Sequence, residues 1–400
     1  MTSNGFPRNR VRLFMFYVSV ENSFDFRSRE YVDLFERSAA TPFQSPVWLA
    51  VLYGQLLAHN AASPLILVVR RSADGGLAMV LPLLRRRYSM LQVVEFADLR
   101  TSDYVSPVTD AATFAVVLAD PDCVEQIRAL TRPYDLLRIG KLADDALALE
   151  LLFGISRREA MGMSAYAAPL AESFDLWREQ FPRSYRKELD KKSRQLHRRG
   201  TVHFQCVENK EQIARTFEAL RVYRGLRFGS GEDGTGDLLQ VPAYYDFYRS
   251  VAVEGRDHLI RTYAITVDGR VVAGALGLVA RCGSVLVVLS GFDHDGFKNQ
   301  SLGSLLFEQI ARDTIERGGR TLDFTIGDEP YKLTFGARPS PMWRMSRAGS
   351  PLGRAAEVLV GRIPAAKALA RRWFHGSRDT RKPPHPIAAN AATSEEQAAS

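Results

Sequence analysis

The sequence predicts an α/β (α+β) protein with a mixed, mostly antiparallel sheet, and two observations carry this prediction. Residues 285–337 contain an apolar strand, a loop, an amphipathic helix and a second strand, which is the order of a βαβ crossover between parallel strands. Upstream, apolar runs at 258–267, 271–280 and 284–290 are separated by short turns, a pattern typical of an antiparallel meander. The meander leads directly into the crossover, so both belong to one sheet flanked by helices.

Each element of the crossover has its own sequence signal. Residues 285–290 are apolar and rich in β-branched types, Gly318-Gly319 ends the helix, and 321–326 form the second strand. The apolar positions of the helix share helical spacing: Leu302, Leu305, Leu306 and Ile310. Ionisable residues crowd 327–332, and loops at the carboxyl ends of strands in open α/β sheets usually bind ligands. We therefore expect the functional site at this loop.

The chain of 400 residues is long enough for two domains. The hydrophobic pattern loosens around 162–169, which predicts an N-terminal domain at 1–165 and a C-terminal domain at 166–345. Residues 346–375 predict a basic helical extension, because cations surround short apolar stretches there. Residues 376–400 are rich in Pro, Ala and Ser, which predicts a disordered tail.

The first half has strand and helix signals but no catalytic constellation. Ser45-Pro46 predicts a capped helix start, and residues 73–76 predict a hairpin turn between two apolar runs. Other expected elements are a strand from Val11, a helix at 30–38, strands at 93–96 and 135–139, and a helix at 123–130. Ser102, Asp103 and Tyr104 lie in a loop and either line a pocket or form a solvated turn, and their turn-forming composition favours the turn.

The second half opens with a helix at 174–181 and a strongly basic helix at 183–199. Within the basic helix, Tyr185, Leu189 and Leu196 share one face, so that face is expected to dock while the cations project elsewhere. We also expect a strand at 202–207 and helices at 211–225 and 244–254. After Trp343 the hydrophobic pattern fades.

The net charge of +8 is concentrated in two segments. Residues 183–199 carry eight Lys/Arg and two acids and 344–382 carry ten and two, which together give +14 and leave about −6 elsewhere. Local basic patches attract phosphate, nucleic acid or anionic lipid, although solubility alone also explains such runs. Arg186 and Lys187 are the preferred phosphate contacts.

Membrane-spanning and metal-binding classes are not indicated. No run approaches the roughly 18 apolar residues of a membrane helix, and three scattered cysteines without a CxxC pair fit a reducing compartment, so we expect a cytoplasmic protein. His294 lies between Asp293 and Asp295, but adjacent loop residues rarely converge on one ion, and no metal is expected. Gly229, Gly231 and Gly234 match GxGxxG without the preceding strand that a dinucleotide site requires.

The chain resembles the GNAT N-acyltransferase superfamily, with tandem GNAT-like domains. It is most similar to the CelD-type branch of cellulose or exopolysaccharide biosynthesis proteins, which is related to the FemAB peptidyltransferases. The resemblance spans most of 40–345 and rests on four stretches: TPFQSPVWL, Ser102-Asp103-Tyr104, SYRKELDKKSRQL, and LGSLLFEQIARDTIERG followed by LDFTIGDEPYKLTFGA.

The resemblance implies an acyl-CoA co-substrate bound where a helix begins. Free backbone N–H groups and the positive end of the helix dipole bind phosphate at such a terminus. The superfamily loop has the form (Gln/Arg)-x-x-Gly-x-(Gly/Ala), which Gln300 and Gly303 fit and Leu305 does not. The implied donor-binding residues are Ser290, Gly291, Phe292, Gln300, Gly303 and Ser304.

The resemblance also implies acid–base groups on the last strand and the loop beyond it. These are Asp323, Asp328, Tyr331 and Lys332, with Glu329 a further ionisable group beside them. In such a reaction a carboxylate is expected to take the proton of the attacking amine, and either Tyr331 protonates the leaving thiolate or Lys332 neutralises charge on the donor. Asp103 and Tyr104 join Arg186 and Lys187 as candidate substrate- or phosphate-binding residues.

Three functions follow as alternatives. The first is acyl transfer, from acyl-CoA, to an amine or hydroxyl of a sugar, polysaccharide or cell-envelope precursor. The second is FemAB-like transfer from aminoacyl-tRNA, and the third is a catalytically degenerate scaffold for polysaccharide biosynthesis machinery. In the third case the basic C-terminal helix is expected to hold the protein peripherally at the inner membrane.

Overall fold

The computed structural model of the chain describes residues 15–156, 158–229, 236–256 and 258–362. The strands are β1 (Phe16–Glu21), β2 (Ala62–Arg71), β3 (Leu77–Tyr88), β4 (Leu91–Phe96), β5 (Leu136–Leu142), β6 (Glu159–Pro169), β7 (Val202–Val207), β8 (Ile260–Val267), β9 (Arg270–Val279), β10 (Val285–Phe292), β11 (Thr321–Ile326) and β12 (Arg338–Ala348). The helices are α1 (Arg29–Arg37), α2 (Pro46–His59), α3 (Ala111–Ala119), α4 (Pro121–Thr131), α5 (Leu149–Phe153), α6 (Phe174–Glu179), α7 (Arg183–His197), α8 (Lys210–Phe228), α9 (Pro242–Glu254), α10 (Leu302–Glu316), α11 (Tyr331–Thr334) and α12 (Pro351–Arg362).

The described strands form one sheet in the order β1-β2-β3-β4-β5-β12-β6-β11-β10-β9-β8-β7. Two neighbouring pairs are parallel, β4 with β5 and β10 with β11, and the other pairs are antiparallel. Each parallel pair is joined through helices, as the chirality and length of a crossover require. The predicted fold class is therefore confirmed, with the meander β8-β9-β10 and the crossover β10-α10-β11 as expected.

The two halves exchange their last strands. β6 follows β5 in sequence but pairs with β11 and β12, whereas β12 follows β11 but pairs with β5 and β6. This corrects two expectations, because 162–169 is a central strand instead of a loosened segment, and the strand pattern continues past Trp343 to Ala348. The division into domains at residue 165 stays a prediction.

The composition of β6 explains why its pattern was missed. Its residues EAMGMSAYAAP are mostly small, and Ala and Gly have low intrinsic strand propensity. Hydrogen bonding to a strand on each side, β11 and β12, holds this segment extended in spite of its composition. An isolated sequence pattern does not report such tertiary pairing.

Side-chain hydrogen bonds confirm two local predictions in the first half, a helix start and a hairpin turn. Ser45 caps α2, with its hydroxyl accepting a hydrogen bond from the Trp48 backbone N–H at 3.4 Å, and Pro46 occupies the first helical position. The Asp74 carboxylate accepts from Gly76 N–H at 2.9 Å in the turn between β2 and β3, which pair as the predicted hairpin. Residues 11–14 of the strand expected from Val11 lie outside the described residues, and β1 begins at Phe16.

Three apolar clusters cover the sheet. One joins α1, α2, α8 and α9 and contains residues of both halves, a second joins α6, α7 and α10, and a third joins α3, α4 and α5. At the contact between α2 and α9, the Trp48 and Phe247 rings lie edge to face at 5.0 Å. The shared cluster and the exchanged strands place the halves in one packed unit.

The structure describes part of the predicted basic helical extension at 346–375. α12 forms the first part of the predicted basic extension, while 363–375 and the tail at 376–400 lie outside the described residues. None of the helices within 15–362 that the structure describes is both long and apolar enough to cross a membrane.

Candidate active site

Asp323 and Tyr104 meet across the two halves. Asp323 lies on β11 beside the parallel strand β10, and Tyr104 comes from the loop after β4. The Tyr104 hydroxyl donates to the Asp323 carboxylate, at 2.9 Å to Oδ2 and 3.1 Å to Oδ1. The backbone N–H of Thr325 donates to Oδ1 at 2.6 Å. Two residues predicted as separate candidates therefore form one hydrogen-bonded pair.

The environment of Asp323 raises the pKa of its carboxyl to about 6. Burial is the largest cause, and the nearby Asp103 carboxylate adds to it. The hydrogen bonds from Thr325 and Tyr104 and the charge of Lys332 act in the opposite direction. Burial and the Asp323 carboxylate also raise the pKa of Tyr104 far above its ordinary value, so Tyr104 stays protonated and donates to Asp323.

A buried framework holds the Tyr104 loop. Trp48 Nε1–H donates to the Ser102 hydroxyl at 3.0 Å, and Gln44 Nε2–H donates to the Tyr104 carbonyl at 3.1 Å. Lys141 Nζ donates to the Ser102 carbonyl at 2.7 Å. Asp103 and Tyr104 are each 8% exposed, so the favoured solvated turn is wrong. Turn-forming composition misled here because the loop is covered by α2 and β5, which are distant in sequence.

Thr325 has a backbone φ of +56° directly beside Asp323. This left-handed conformation is rare for a β-branched residue and costs on the order of 1–3 kcal/mol. The conformation turns the Thr325 N–H toward Asp323 while its carbonyl accepts from Lys332 Nζ at 3.2 Å. Sequence reasoning missed Thr325, because nothing in its residue type signals a positive φ.

Lys332 is buried beneath the loop that follows β11, with only 2% exposure. Besides Thr325, its ammonium donates to the Gly327 carbonyl at 2.8 Å and forms an ion pair with Glu329 at 2.9 Å. It also lies 5.4 Å from the centre of the Tyr166 ring. The ammonium therefore bonds to the backbone carbonyls of residues 325 and 327, and these bonds hold the end of β11 and the start of the loop that follows it.

Asp328 and Tyr331 lie on the outer side of the same loop. The exposed Asp328 carboxylate accepts from Ser164 N–H at 3.3 Å and from the Tyr166 hydroxyl at 3.1 Å. The Tyr331 ring is 36% exposed and stacks on Phe307 at 5.3 Å with an interplanar angle of 2°. Asp328 therefore lies against β6 and the Tyr331 ring lies against α10, both beside the loop that follows β11.

The start of α10 fits a phosphate-bearing donor. Ser301, at the helix N-cap, has a φ of +52° and makes no side-chain capping hydrogen bond, and the first turn carries no acidic residue. Its backbone N–H groups are thus uncapped, which is the condition for anion binding at a helix start. Gln300 is 9% exposed just before this turn.

Gly303 and Leu305 have packing roles within this turn. A Cβ at Gly303 would meet the Phe292 ring at 3.0 Å, so glycine permits the end of β10 to pack against α10. Leu305 is 5% exposed within the apolar cluster beneath α10. Its bulk therefore fills the core, which offers a reason for the departure from the superfamily loop.

Helix α7 packs over the first turns of α10. Arg178 of α6 forms ion pairs with Asp190 of α7 and Glu308 of α10, each at 2.6 Å. The Tyr185 side chain lies beside Ser304, and Leu189 and Leu196 are buried as predicted. The docking face of the basic helix is thus confirmed.

Arg186 and Lys187 differ in exposure. Lys187 is exposed, whereas the Nε atom of Arg186 is buried without a hydrogen-bond partner among the described residues. A buried, unpartnered guanidinium nitrogen costs free energy unless a ligand engages it. Arg186 follows Tyr185, which lies beside Ser304, and its role as a phosphate contact stays a prediction.

The end of β10 is held from α8. Arg224 donates to the Ser290 carbonyl at 2.9 Å and forms a buried ion pair with Asp237 at 2.7 Å. A Cβ at Gly291 would meet Arg224 at 3.1 Å and Leu220 at 3.2 Å. Ser290 and Gly291 therefore lie against α8, and Arg224 is a positioning residue that no sequence pattern indicated.

The first half has no counterpart of Asp323. β5 and β11 occupy equivalent places, each parallel to the strand before its crossover, and each contains a non-glycine residue with a φ of +56°, Lys141 and Thr325. Two positions before Lys141 stands Ile139, which is fully buried. The carboxylate is therefore present in the second half, and the loop after β4 in the first half supplies Tyr104.

Residues 183–333 match a family model described as an acetyltransferase (GNAT) domain. This part of the chain is similar to GNAT acetyltransferase domains. The match confirms the prediction of an acyltransferase, while the finer CelD-type assignment stays a proposal. None of the curated proteins matches the sequence significantly.

Solved structures share this fold at low sequence identity. FemX is 12% identical with a TM-score of 0.59, covering 84% of this chain and 99% of its own. A C-terminal domain (DUF2156) from Agrobacterium fabrum, named as part of a lysylphosphatidylglycerol synthetase, is 14% identical with a TM-score of 0.51, covering 85% and 97%. A Bacteroides thetaiotaomicron protein of unknown function is 9% identical with a TM-score of 0.53, covering 82% and 99%. At these identities the likeness concerns the fold.

Replacing Asp323 with Asn is expected to stabilise the protein at neutral and higher pH. Because the folded-state pKa is raised from 3.8 to about 6, the stability contributed by Asp323 is present at acidic pH and is lost as pH rises through about 6. Ionisation therefore costs about 3 kcal/mol near pH 8, and Asn avoids this cost while keeping an oxygen for Thr325 N–H. Chemical unfolding at about pH 8 and about pH 4 measures the difference.

The gain should shrink toward zero near pH 4, where Asp323 is protonated in the folded state. The matched control is Asp328→Asn, whose exposed carboxylate should change the free energy of unfolding by less than about 0.5 kcal/mol. An Asp323→Asn variant that is less stable than wild type by the same amount at both pH values would contradict the assigned pKa.

Proposed function

We propose that the chain transfers an acyl group from acyl-CoA to an amine or hydroxyl of a sugar, polysaccharide or other cell-envelope precursor. The observation that carries this proposal is the Asp323 carboxylate on β11, beside the parallel strand β10, where burial raises its pKa to about 6. A base with that pKa is mostly ionised at neutral pH yet still basic enough to accept a proton. The CelD-type resemblance supports the class of acceptor.

In the proposed reaction, Asp323 accepts the proton of the attacking nucleophile while Tyr104 and the Thr325 N–H hold its carboxylate in place. The new bond forms between the nucleophile and the acyl carbon, and the carbon–sulfur bond breaks. Tyr331 is the proposed proton donor to the leaving thiolate, because its side chain is exposed on the loop that follows β11. Lys332 acts as a positioning residue, since its ammonium is engaged by the Thr325 and Gly327 carbonyls.

The donor binds, in this proposal, with its phosphates at the first turn of α10. The uncapped N–H groups there and the Arg186 guanidinium supply hydrogen-bond donors and positive charge. Gln300 and Ser304 flank the turn, and Ser290, Gly291 and Phe292 form the neighbouring end of β10. Asp103 supports the site through its charge, which raises the pKa of Asp323.

A second candidate donor, aminoacyl-tRNA, is favoured by the exposed face of α7. Lys187, Arg194 and Arg198 are exposed there and form no ion pair among the described residues, while Lys191 approaches Glu188 at 3.7 Å. A row of exposed cations binds a phosphate backbone in a salt-dependent way. FemX and the domain named as part of a lysylphosphatidylglycerol synthetase share the fold, which supports considering this donor.

Replacing Tyr104 with Phe is expected to move the acidic limb of the pH–rate profile to higher pH. The hydroxyl stabilises the ionised form of Asp323, so its removal raises the pKa of that carboxyl by about one unit. Thiol release from acetyl-CoA and longer acyl-CoAs, with a panel of amino sugars as acceptors, gives the profile. Turnover should fall more at about pH 6.5 than at about pH 8.5.

Two control variants make this experiment specific. Tyr53→Phe removes a buried hydroxyl that donates to the Leu83 carbonyl and should leave the acidic limb of the pH–rate profile unchanged. Asp323→Asn should lower turnover by about 100-fold or more with little change in acyl-CoA affinity. Full turnover in Asp323→Asn would contradict the base assignment. Absence of calorimetric binding for every acyl-CoA would contradict the donor.

Charge reversal on α7 separates the two donors. If aminoacyl-tRNA is the donor, exchange of Lys187, Lys191 and Arg194 for Glu should abolish salt-sensitive tRNA binding, measured by filter binding at several salt concentrations. Reversal of the exposed cations Arg87, Arg215 and Arg249 is the matched control and should have a smaller effect. Binding unchanged by the α7 substitutions would exclude this donor in favour of acyl-CoA.

A further inference from the structure

A small cavity lies in the first half, at the end of β5 remote from Tyr104. α4, α5 and β12 contribute its walls, and its charged lining residues are Arg128, Arg132, Arg347 and Glu125. β5 begins beside this cavity at Leu136, and near its other end the Lys141 carbonyl accepts from Val105 N–H of the Tyr104 loop at 3.2 Å. The cavity is therefore separate from the acyl-transfer site.

Backbone contacts hold two of these arginines rigidly. Arg128 donates through Nε to the Leu152 carbonyl at 2.8 Å and through Nη2 to the Leu151 carbonyl at 2.7 Å. Arg347 donates through Nη1 to the Phe153 carbonyl at 2.6 Å. These carbonyls belong to α5, whose end the two guanidinium groups thereby cap. Arg128 Nη1 and Arg347 Nε and Nη2 take no part in these bonds.

The two guanidinium groups converge on Gly154, which follows α5. A Cβ at Gly154 would lie 2.9 Å from Arg347 Nη1 and 3.3 Å from Arg128 Nη2. Gly154 has a φ of +63°, so both the backbone and the space require glycine. Two positive groups are thus placed close together over one point of the backbone.

No carboxylate forms an ion pair with Arg128, Arg132 or Arg347 within the part of the chain that the structure describes. The lining carries three positive charges against one from Glu125. Like charges at short range repel each other, and the three bonds that cap α5 leave other N–H donors of both guanidinium groups unused. A bound anion would offset this repulsion and use the remaining N–H donors.

The geometry points to a phosphate-binding site formed by Arg128, Arg132 and Arg347. Planar guanidinium groups bind phosphate oxygens through paired, charge-assisted hydrogen bonds. The walls suit a small ligand, because Tyr134 adds a polar edge while the buried Phe153 and Leu137 close the floor. The phosphate belongs either to a soluble monoester or to a phospholipid headgroup, and both present the same oxyanion.

Calorimetric titration in phosphate-free buffer tests this site, with inorganic phosphate and glycerol 3-phosphate as probes. Since phosphate also suits the start of α10, the titration is made in an Arg186→Gln background. Adding Arg347→Gln should weaken phosphate binding by about tenfold or more, and Arg347→Lys should restore part of it by keeping the charge.

The matched control is Arg281→Gln. Arg281 also caps a helix end, donating to the carbonyls of Phe35, Glu36 and Ala40, but no other guanidinium of the described residues donates to these carbonyls. This variant should bind phosphate like its parent. Equal affinity in the Arg347→Gln and Arg281→Gln variants, or no binding of either probe to the parent, would overturn the site.

Sedimentation with vesicles of phosphatidylglycerol distinguishes the two sources of phosphate. Vesicle binding that is lost in Arg347→Gln and kept in Arg281→Gln identifies a lipid headgroup, whereas binding confined to the soluble probes identifies a monoester. Either result supports the site. Acyl transfer is measured separately, and its failure leaves this test unaffected because the cavity shares no residue with the Asp323 site.

Discussion

The hydrogen bond between Tyr104 and Asp323 connects the two halves at the point where chemistry is expected. Each partner needs its own half to be folded, because Tyr104 depends on the Trp48–Ser102 and Gln44–Tyr104 hydrogen bonds and Asp323 depends on the pairing of β11 with β10 and β6. The exchange of β6 and β12 then fixes how the halves meet. A GNAT-like domain on its own would lack the hydroxyl that holds the carboxylate.

Several features of the site lower the stability of the folded protein. Asp323 is kept in an environment that raises its pKa, Thr325 has an unfavourable backbone conformation, and Lys332 is a buried charge. Hydrogen bonds among the three residues offset part of these costs. Lys332 donates to the Thr325 carbonyl, and Thr325 N–H donates to Asp323. Strain that persists because surrounding contacts over-determine it is characteristic of functional sites.

Local sequence patterns predicted the elements that depend on neighbouring residues. They missed the features that depend on contacts between residues distant in sequence. The crossover 285–337, the hairpin and the caps follow from periodicity and turn chemistry, and Asp323 followed from the family resemblance, as an acidic residue on the last strand of the crossover. The strand β6 was missed because its small residues are held by neighbours on both sides. Burial of the Tyr104 loop and of Lys332 was also missed, since Ser, Asp and Lys normally indicate solvent exposure.

The most direct measurement is the pKa of the Asp323 carboxyl itself. Titration of the protein labelled with ¹³C at aspartate carboxyl groups, with the Asp323 signal assigned by its loss in Asp323→Asn, gives this value by NMR. The proposed base role predicts a midpoint near 6, because burial raises the pKa of this carboxyl more than its hydrogen bonds lower it. A midpoint near the ordinary value of about 4 would contradict the account, because Asp323 would then be an exposed carboxylate without a distinct role in proton transfer.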